Sequence, residues 1–155
     1  MNSEGWYDSP IGILKITADK DSIIGVEFID NVFEESLNPI IERCKVELEE
    51  YFEGKREKFE VKIKYIKGTD FQKQVWNELK NIPYGEAVSY KYIAEKINNP
   101  KAVRAVGGAN NKNPITIIVP CHRVIGANGK LVGYAEGIDK KEFLLNLENT
   151  VNKRL

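Results

Sequence analysis

The hydrophobic period of the chain changes near Gly68, so no all-α or all-β fold fits both halves. Before it, residues 11–18 and 23–30 are rich in β-branched apolar side chains. The polar Asp19-Lys20-Asp21-Ser22 separates them, as in a β-hairpin. From Pro39, with Asn38 as N-cap, Ile41, Cys44, Leu48 and Tyr51 recur at helical spacing until Gly54. That stripe makes Cys44 a core residue. Val61, Ile63 and Tyr65 alternate as a third strand would. After Gly68 the helical period takes over. Thr69 and Gln72 match a capping box, and Phe71, Val75, Leu79 and Ile82 share one face as far as Pro83. The expectation is an α+β protein with one lobe over residues 1–68 and a mainly helical one over 69–155.

Charge divides at the same place. The chain carries 23 basic and 23 acidic side chains. Residues 1–68 hold 10 basic and 15 acidic groups and residues 69–155 hold 13 and 8, so the second half is the one expected to face an anionic partner. No apolar run approaches the roughly 20 residues that span a bilayer, and no signal segment opens the chain. A soluble, cytoplasmic protein is expected. With two cysteines and one histidine, no disulfide framework or zinc site is expected either.

Within the second half, Ser89 caps a short helix over Tyr90 to Ile97, Asn98-Asn99-Pro100 breaks it, and another helix begins near Lys101. Two short helices about a tight break have the form of a helix-turn-helix, although such pairs are also common packing units. Ile115–Val119 is the most hydrophobic stretch and ends at Pro120, directly before Cys121, His122 and Arg123. Asp139, with Glu142 three residues on, opens a last helix whose apolar side carries Phe143, Leu144, Leu147 and Val151. Helical spacing places Glu148 beside that side.

The Cys121-His122 pair has two readings on residues alone. One is a thiolate nucleophile with an imidazole base oriented by Glu148. The other is a small buried hydrophobe beside a satisfied core histidine. The run Ile118-Val119-Pro120-Cys121-His122-Arg123-Val124 resembles the active-site signature of the O6-alkylguanine-DNA alkyltransferases, the methylated-DNA-protein-cysteine methyltransferases. Further motifs similar to the family's occur in its order: Phe71–Trp76, Pro83-Tyr84-Gly85-Glu86, Ser89-Tyr90, 102–109, Asn113-Pro114 and Gly133-Tyr134.

The resemblance implies an RNase H-like first lobe with a three-stranded antiparallel sheet, and a second lobe whose helix-turn-helix binds the minor groove of double-stranded DNA. It implies irreversible, single-turnover transfer of an alkyl group from O6-alkylguanine, and from O4-alkylthymine, to Cys121. His122 acts as water-mediated base, Glu148 holds His122, and Asn113 braces the segment before the nucleophile. Tyr90 donates toward guanine N3. Arg104 is the finger that fills the gap left by a flipped base, with Ala102, Ala105, Gly107, Ala109 and Arg123 also at the DNA. Val124, Tyr134, Ala135 and Glu136 line the pocket. No cofactor and no metal is implied, and the protein acts as a monomer. Where many members have a serine and two glycines, this chain has Ala135, Glu136 and Gly137. An inward carboxylate there narrows the pocket and raises the Cys121 pKa. The alternatives are a lesion-binding relative without chemistry, which the presence of Cys121 opposes, and a cysteine hydrolase, for which no oxyanion hole is identifiable.

Overall fold

In a computed structural model the chain forms two compact units, Met1–Ile66 with Pro114–Thr116, and Lys67–Asn113 with Ile117–Leu155. The structure describes residues 2–154, with side chains through residue 150.

The first unit is an antiparallel sheet of β1 (Ser3–Ser9), β2 (Gly12–Ala18) and β3 (Ile23–Ile29), in that order, with helix α1 (Pro39–Phe52) packed on it. Alternation sends Leu14, Ile16 and Ala18 of β2 and Val26 of β3 inward. Asn38 caps α1 by accepting from the Ile41 amide at 2.9 Å, which leaves Ile41, Cys44, Leu48 and Tyr51 to bury the helix face. The hairpin of β2 and β3 forms as expected. The third strand does not come from 61–65. It is β1, paired with β2 from Ser3↔Ala18 to Ser9↔Gly12. The 61–65 segment makes a single bridge, Ile23↔Ile63, because Glu47 of α1 accepts from the amides of Glu60 and Val61 at 2.8 and 3.2 Å and draws the chain to the helix. A second bridge, Val26↔Ile115, brings Pro114–Thr116 to β3. Two short bridges thus occupy an edge that a long strand would otherwise extend.

The second unit holds α2 (Asp70–Leu79), β4 (Glu86–Ser89), α3 (Tyr90–Lys96), α4 (Val103–Asn111), a 3-10 turn at Cys121–Arg123, β5 (Val124–Ile125), α5 (Ile138–Leu147) and β6 (Val151–Arg154). The Thr69–Gln72 capping box is present in full, and Ser89 caps α3 through the Tyr92 amide at 3.0 Å. Gly68 sits at φ +111°, where a Cβ would stand 2.6 Å from the Trp76 ring; only glycine allows that approach. Trp76 in turn donates its indole N–H to the Ala109 carbonyl at 2.8 Å and locks α2 to α4.

Two expectations fail at the C-terminal end. Gly137, not Asp139, is the N-cap of α5, with no side-chain cap bond. The helix stops at Leu147, so Val151 lies on β6 and not on the helical face. A parallel sheet ordered β5-β4-β6, which the hydrophobic pattern did not predict, starts there, with Glu86 opposite Val151.

Candidate active site

Ile115–Val119 is buried apart from a half-buried Ile118, and its chain is bent sharply: Ile117 has φ +72°, a strained value for a β-branched residue. Two side-chain amides brace the chain on either side of Pro120. Asn113 Nδ2 donates to the Val119 carbonyl at 2.8 Å, and Asn110 Nδ2 to the Cys121 carbonyl at 3.3 Å. Pro120 then leads into the 3-10 turn, so Cys121 and His122 need not point to opposite faces as they would on a strand.

His122 is fully buried, with Nε2 2.8 Å from Glu148 Oε2. Glu148 caps the C-terminus of α5 and is itself buried. Arg123 donates to its two oxygens at 2.8 and 3.0 Å and uses its remaining nitrogen on the Ile82 carbonyl at 2.8 Å. Burial alone would raise the Glu148 carboxyl, but His122 and Arg123 outweigh it and hold it below the usual carboxylate range. Burial is also the largest influence on His122 and lowers its pKa; Glu148 opposes this, while Arg123 and Lys141 add to it. His122 is therefore a neutral imidazole at neutral pH. An ionised carboxylate can only accept, so Nε2 carries the hydrogen and Nδ1 keeps a lone pair. That Nδ1 is buried and has no hydrogen-bond partner among the described residues.

Arg123 therefore does not present a cation to DNA. The residue is 7% exposed, and its guanidinium is engaged by Glu148 and Ile82 and lies 5.7 Å from the Tyr84 ring centroid. Ala109 is likewise displaced from the expected DNA face, being 3% exposed in the core of the unit beside Trp76. Gly107 is half-buried, and a Cβ there would meet the Tyr90 ring at 3.9 Å. Arg104, Ala105 and Gly108 are exposed on α4, with Ala102 half-exposed ahead of it.

Around the turn, the Tyr90 hydroxyl donates to the Val132 carbonyl at 3.0 Å, and burial raises its pKa. Val124 and Tyr134 are buried, Glu136 is half-buried and Ala135 is exposed. One residue gives no functional signal in the sequence. Lys141 is fully buried, with Nζ donating to the carbonyls of Val124 and Val132. Only its place on the inner side of the last helix, beside Leu144 and Leu145, could have marked it. Among the described residues no group of three or more His, Cys, Asp or Glu side chains could hold a metal ion, and no helix is long and apolar enough to cross a membrane.

Residues 3–65 match the family model of the 6-O-methylguanine DNA methyltransferase ribonuclease-like domain, and residues 70–150 that of the same family's DNA-binding domain. The chain belongs to the 6-O-methylguanine DNA methyltransferase family. It is 50% identical over 153 residues to the methylated-DNA–protein-cysteine methyltransferase of Methanosarcina acetivorans, a match covering 93% of this chain and 96% of that protein. The crystal structure of the O6-methylguanine methyltransferase of Mycobacterium tuberculosis superposes with a TM-score of 0.87 at 43% identity, over 96% of this chain and 93% of that one. The M. tuberculosis OGT solved in complex with DNA gives 0.86 at 44% identity, over 94% and 92%.

Proposed function

We propose that this methyltransferase repairs double-stranded DNA by moving an alkyl group from O6 of guanine, and from O4 of thymine, to Cys121 Sγ in one irreversible turnover. The observation that carries the reading is the fully buried His122. Its Nε2 is held by Glu148 and its Nδ1 lone pair remains open one residue from a cysteine.

In the transfer, His122 takes the Cys121 proton through a water, and sulfur attacks the alkyl carbon in line with its bond to oxygen. The S–C bond forms as the C–O6 bond breaks. The electron pair enters the purine, which regains a proton at N1, balancing the one the thiol gave up. Tyr90 donates toward N3 as that charge develops; its single hydrogen, now on Val132, changes acceptor when substrate arrives. Asn113 fixes the approach to the nucleophile through Val119. The Val124 carbonyl, which already accepts from Lys141, keeps a second lone pair for the guanine amino group.

The alkylated base reaches this site only when flipped from the duplex, at a cost of a few kcal/mol. Arg104, exposed on α4, fills the space it leaves as α4 enters the minor groove, with Ala102, Ala105 and Gly108 small enough for close approach to the backbone. Tyr134, Ala135 and Glu136 form the wall facing the alkyl group, and the half-buried Glu136 restricts it to small adducts. The protein works as a monomer in the cytoplasm and needs no cofactor.

The test is intact-mass analysis after mixing the protein with an equimolar duplex carrying O6-methylguanine. One added methyl on the peptide containing Cys121, and none on that containing Cys44, is the expected result. Unchanged mass with lesion binding retained would replace this reading with that of a lesion-binding protein.

A further inference from the structure

Two buried atoms beside the nucleophile have no hydrogen-bond partner among the described residues, His122 Nδ1 and Asn110 Oδ1. Both are acceptors, and the bonds at their far ends make them so. The Glu148 carboxylate only accepts, which puts the imidazole hydrogen on Nε2 and leaves Nδ1 its lone pair. The Cys121 carbonyl also only accepts, so the end of the Asn110 amide that lies 3.3 Å from it is Nδ2, and Oδ1 is the end left over. Asn110 is 1% exposed in the last turn of α4, and the bond from Trp76 to the Ala109 carbonyl holds that turn. The amide is thus fixed both at its backbone and at its tip.

Two acceptors cannot bond each other. The donors around them are directed elsewhere: Tyr90 to Val132, Lys141 to Val124 and Val132, and Arg123 to Glu148 and Ile82. The Cys121 thiol carries one hydrogen, one too few for two acceptors. A water makes up the difference. It donates twice and accepts as well, and a buried water with about three partners is the usual way in which buried polar groups are satisfied.

We propose that Asn110 is a positioning residue for the alkyl transfer, its Oδ1 and His122 Nδ1 together holding one buried water whose lone pair is turned to the Cys121 thiol. This rests on Cys121 being the alkyl acceptor. A water held by His122 alone turns about a single bond, whereas a second anchor leaves it the orientation that receives the thiol proton. In the transfer the S–H bond breaks toward the water, the water passes one of its own hydrogens to Nδ1, and sulfur keeps the electron pair that forms the S–C bond. The water ends with two hydrogens, as it began, and the one on Asn110 never leaves. The charged and titratable groups around this relay are Glu148, Arg123 and Lys141 about His122, and Tyr90 and Lys141 about Cys121. Asn110 adds no charge to them, so its replacement acts on Cys121 through the water.

Two measurements test the proposal. In a crystal structure of wild type at a resolution that shows ordered water, one water lies within hydrogen-bond distance of both His122 Nδ1 and Asn110 Oδ1. A site without it, or a water that touches His122 and not Asn110, overturns the proposal. The other measurement is the pH profile of Cys121 modification by iodoacetamide, located by peptide mapping, beside the transfer rate from a methylated duplex, in wild type and in Asn110→Leu. Leucine keeps the size of the side chain and loses both ends of the amide. The Cys121 profile moves up by about one pH unit, leaving about tenfold less thiolate at neutral pH, and transfer slows at least as much. A residue that only braces the Cys121 carbonyl would slow transfer without moving the profile, so a wild-type profile in a folded Asn110→Leu overturns the proposal whatever its transfer rate. Should that variant not fold, the wild-type crystal structure decides. If wild type gains no methyl from DNA, the functional reading fails on its own, while the water and the iodoacetamide profiles still report on Asn110.

Discussion

Each of the two units buries a cysteine near a carboxylate, and the two pairs behave in opposite ways. In the first, Cys44 lies one helical turn before the fully buried Glu47, and burial together with that charge pushes the thiol up to about 12. Glu47 is spent on the chain, accepting from the amides of Glu60 and Val61 and from Arg43 at 2.7 Å. In the second, the buried carboxylate is tied off by Arg123 and His122, and the cation of Lys141 is of opposite sign to a thiolate at Cys121. Burial by itself raises a thiol's pKa, and the sign of a charge beside it adds to that shift or opposes it.

The comparison would break most visibly at the cysteines. Cys121→Ala abolishes transfer, whereas Cys44→Ala leaves it unchanged and costs about 1 kcal/mol in urea unfolding, as for a small core truncation. Loss of transfer in Cys44→Ala would end the distinction. The carboxylates sharpen it. Glu148→Gln leaves Arg123 buried without a counter-charge and destabilises by about 3–5 kcal/mol while slowing transfer. Glu47→Gln keeps an acceptor for the two amides and costs about 1 kcal/mol, with transfer unaffected.

Gly5→Ala probes the first unit alone. A Cβ there would stand 2.7 Å from Ile41 Cγ2 where α1 crosses β1, so the melting curve shifts by about 1–3 kcal/mol and the transfer rate of the folded fraction stays constant. The pH dependence of stability is a further check. Folding lowers the His122 pKa, so the unfolded chain takes up the proton first. Stability then falls by up to about 1.4 kcal/mol per pH unit as pH drops below the ordinary imidazole value of 6.5. Glu148, also held below its ordinary value, adds a loss in the same direction at lower pH. Denaturant titrations at several pH values check this, and His122→Gln flattens the upper part of the slope.

What the sequence reveals depends on how far each interaction reaches along the chain. The caps at Asn38, Thr69 and Ser89 were legible because each joins a side chain to the amide three residues on. Strand β1 was not, because Ser3-Glu4-Gly5-Trp6-Tyr7-Asp8-Ser9 is polar and glycine-containing and is a strand only through its pairing with β2. The parallel sheet escaped for the same reason, its partners lying 36 or more positions apart, as from Val88 to Val124. At the site, a histidine beside a cysteine is visible in one line of text, whereas nothing local to Arg123, expected at the DNA from the resemblance, marks it as buried. Only the three-dimensional arrangement turns it toward Glu148. Lys141 obeys the same rule, since Lys140-Lys141 reads as a solvated pair until the helix is docked.

The discontinuity of the first unit bears on how this protein can be taken apart. Pro114–Thr116, five residues before the nucleophile, completes the β3 edge, exchanging bonds with both backbone groups of Val26 at 3.0 Å. A gene cut at the change of period would therefore not yield two independent modules. The C-terminal fragment would carry a strand-forming tripeptide without its template, and the N-terminal fragment an open sheet edge prone to self-association. Co-expressed, the halves have one specific means of recognising each other: returning that tripeptide to its place.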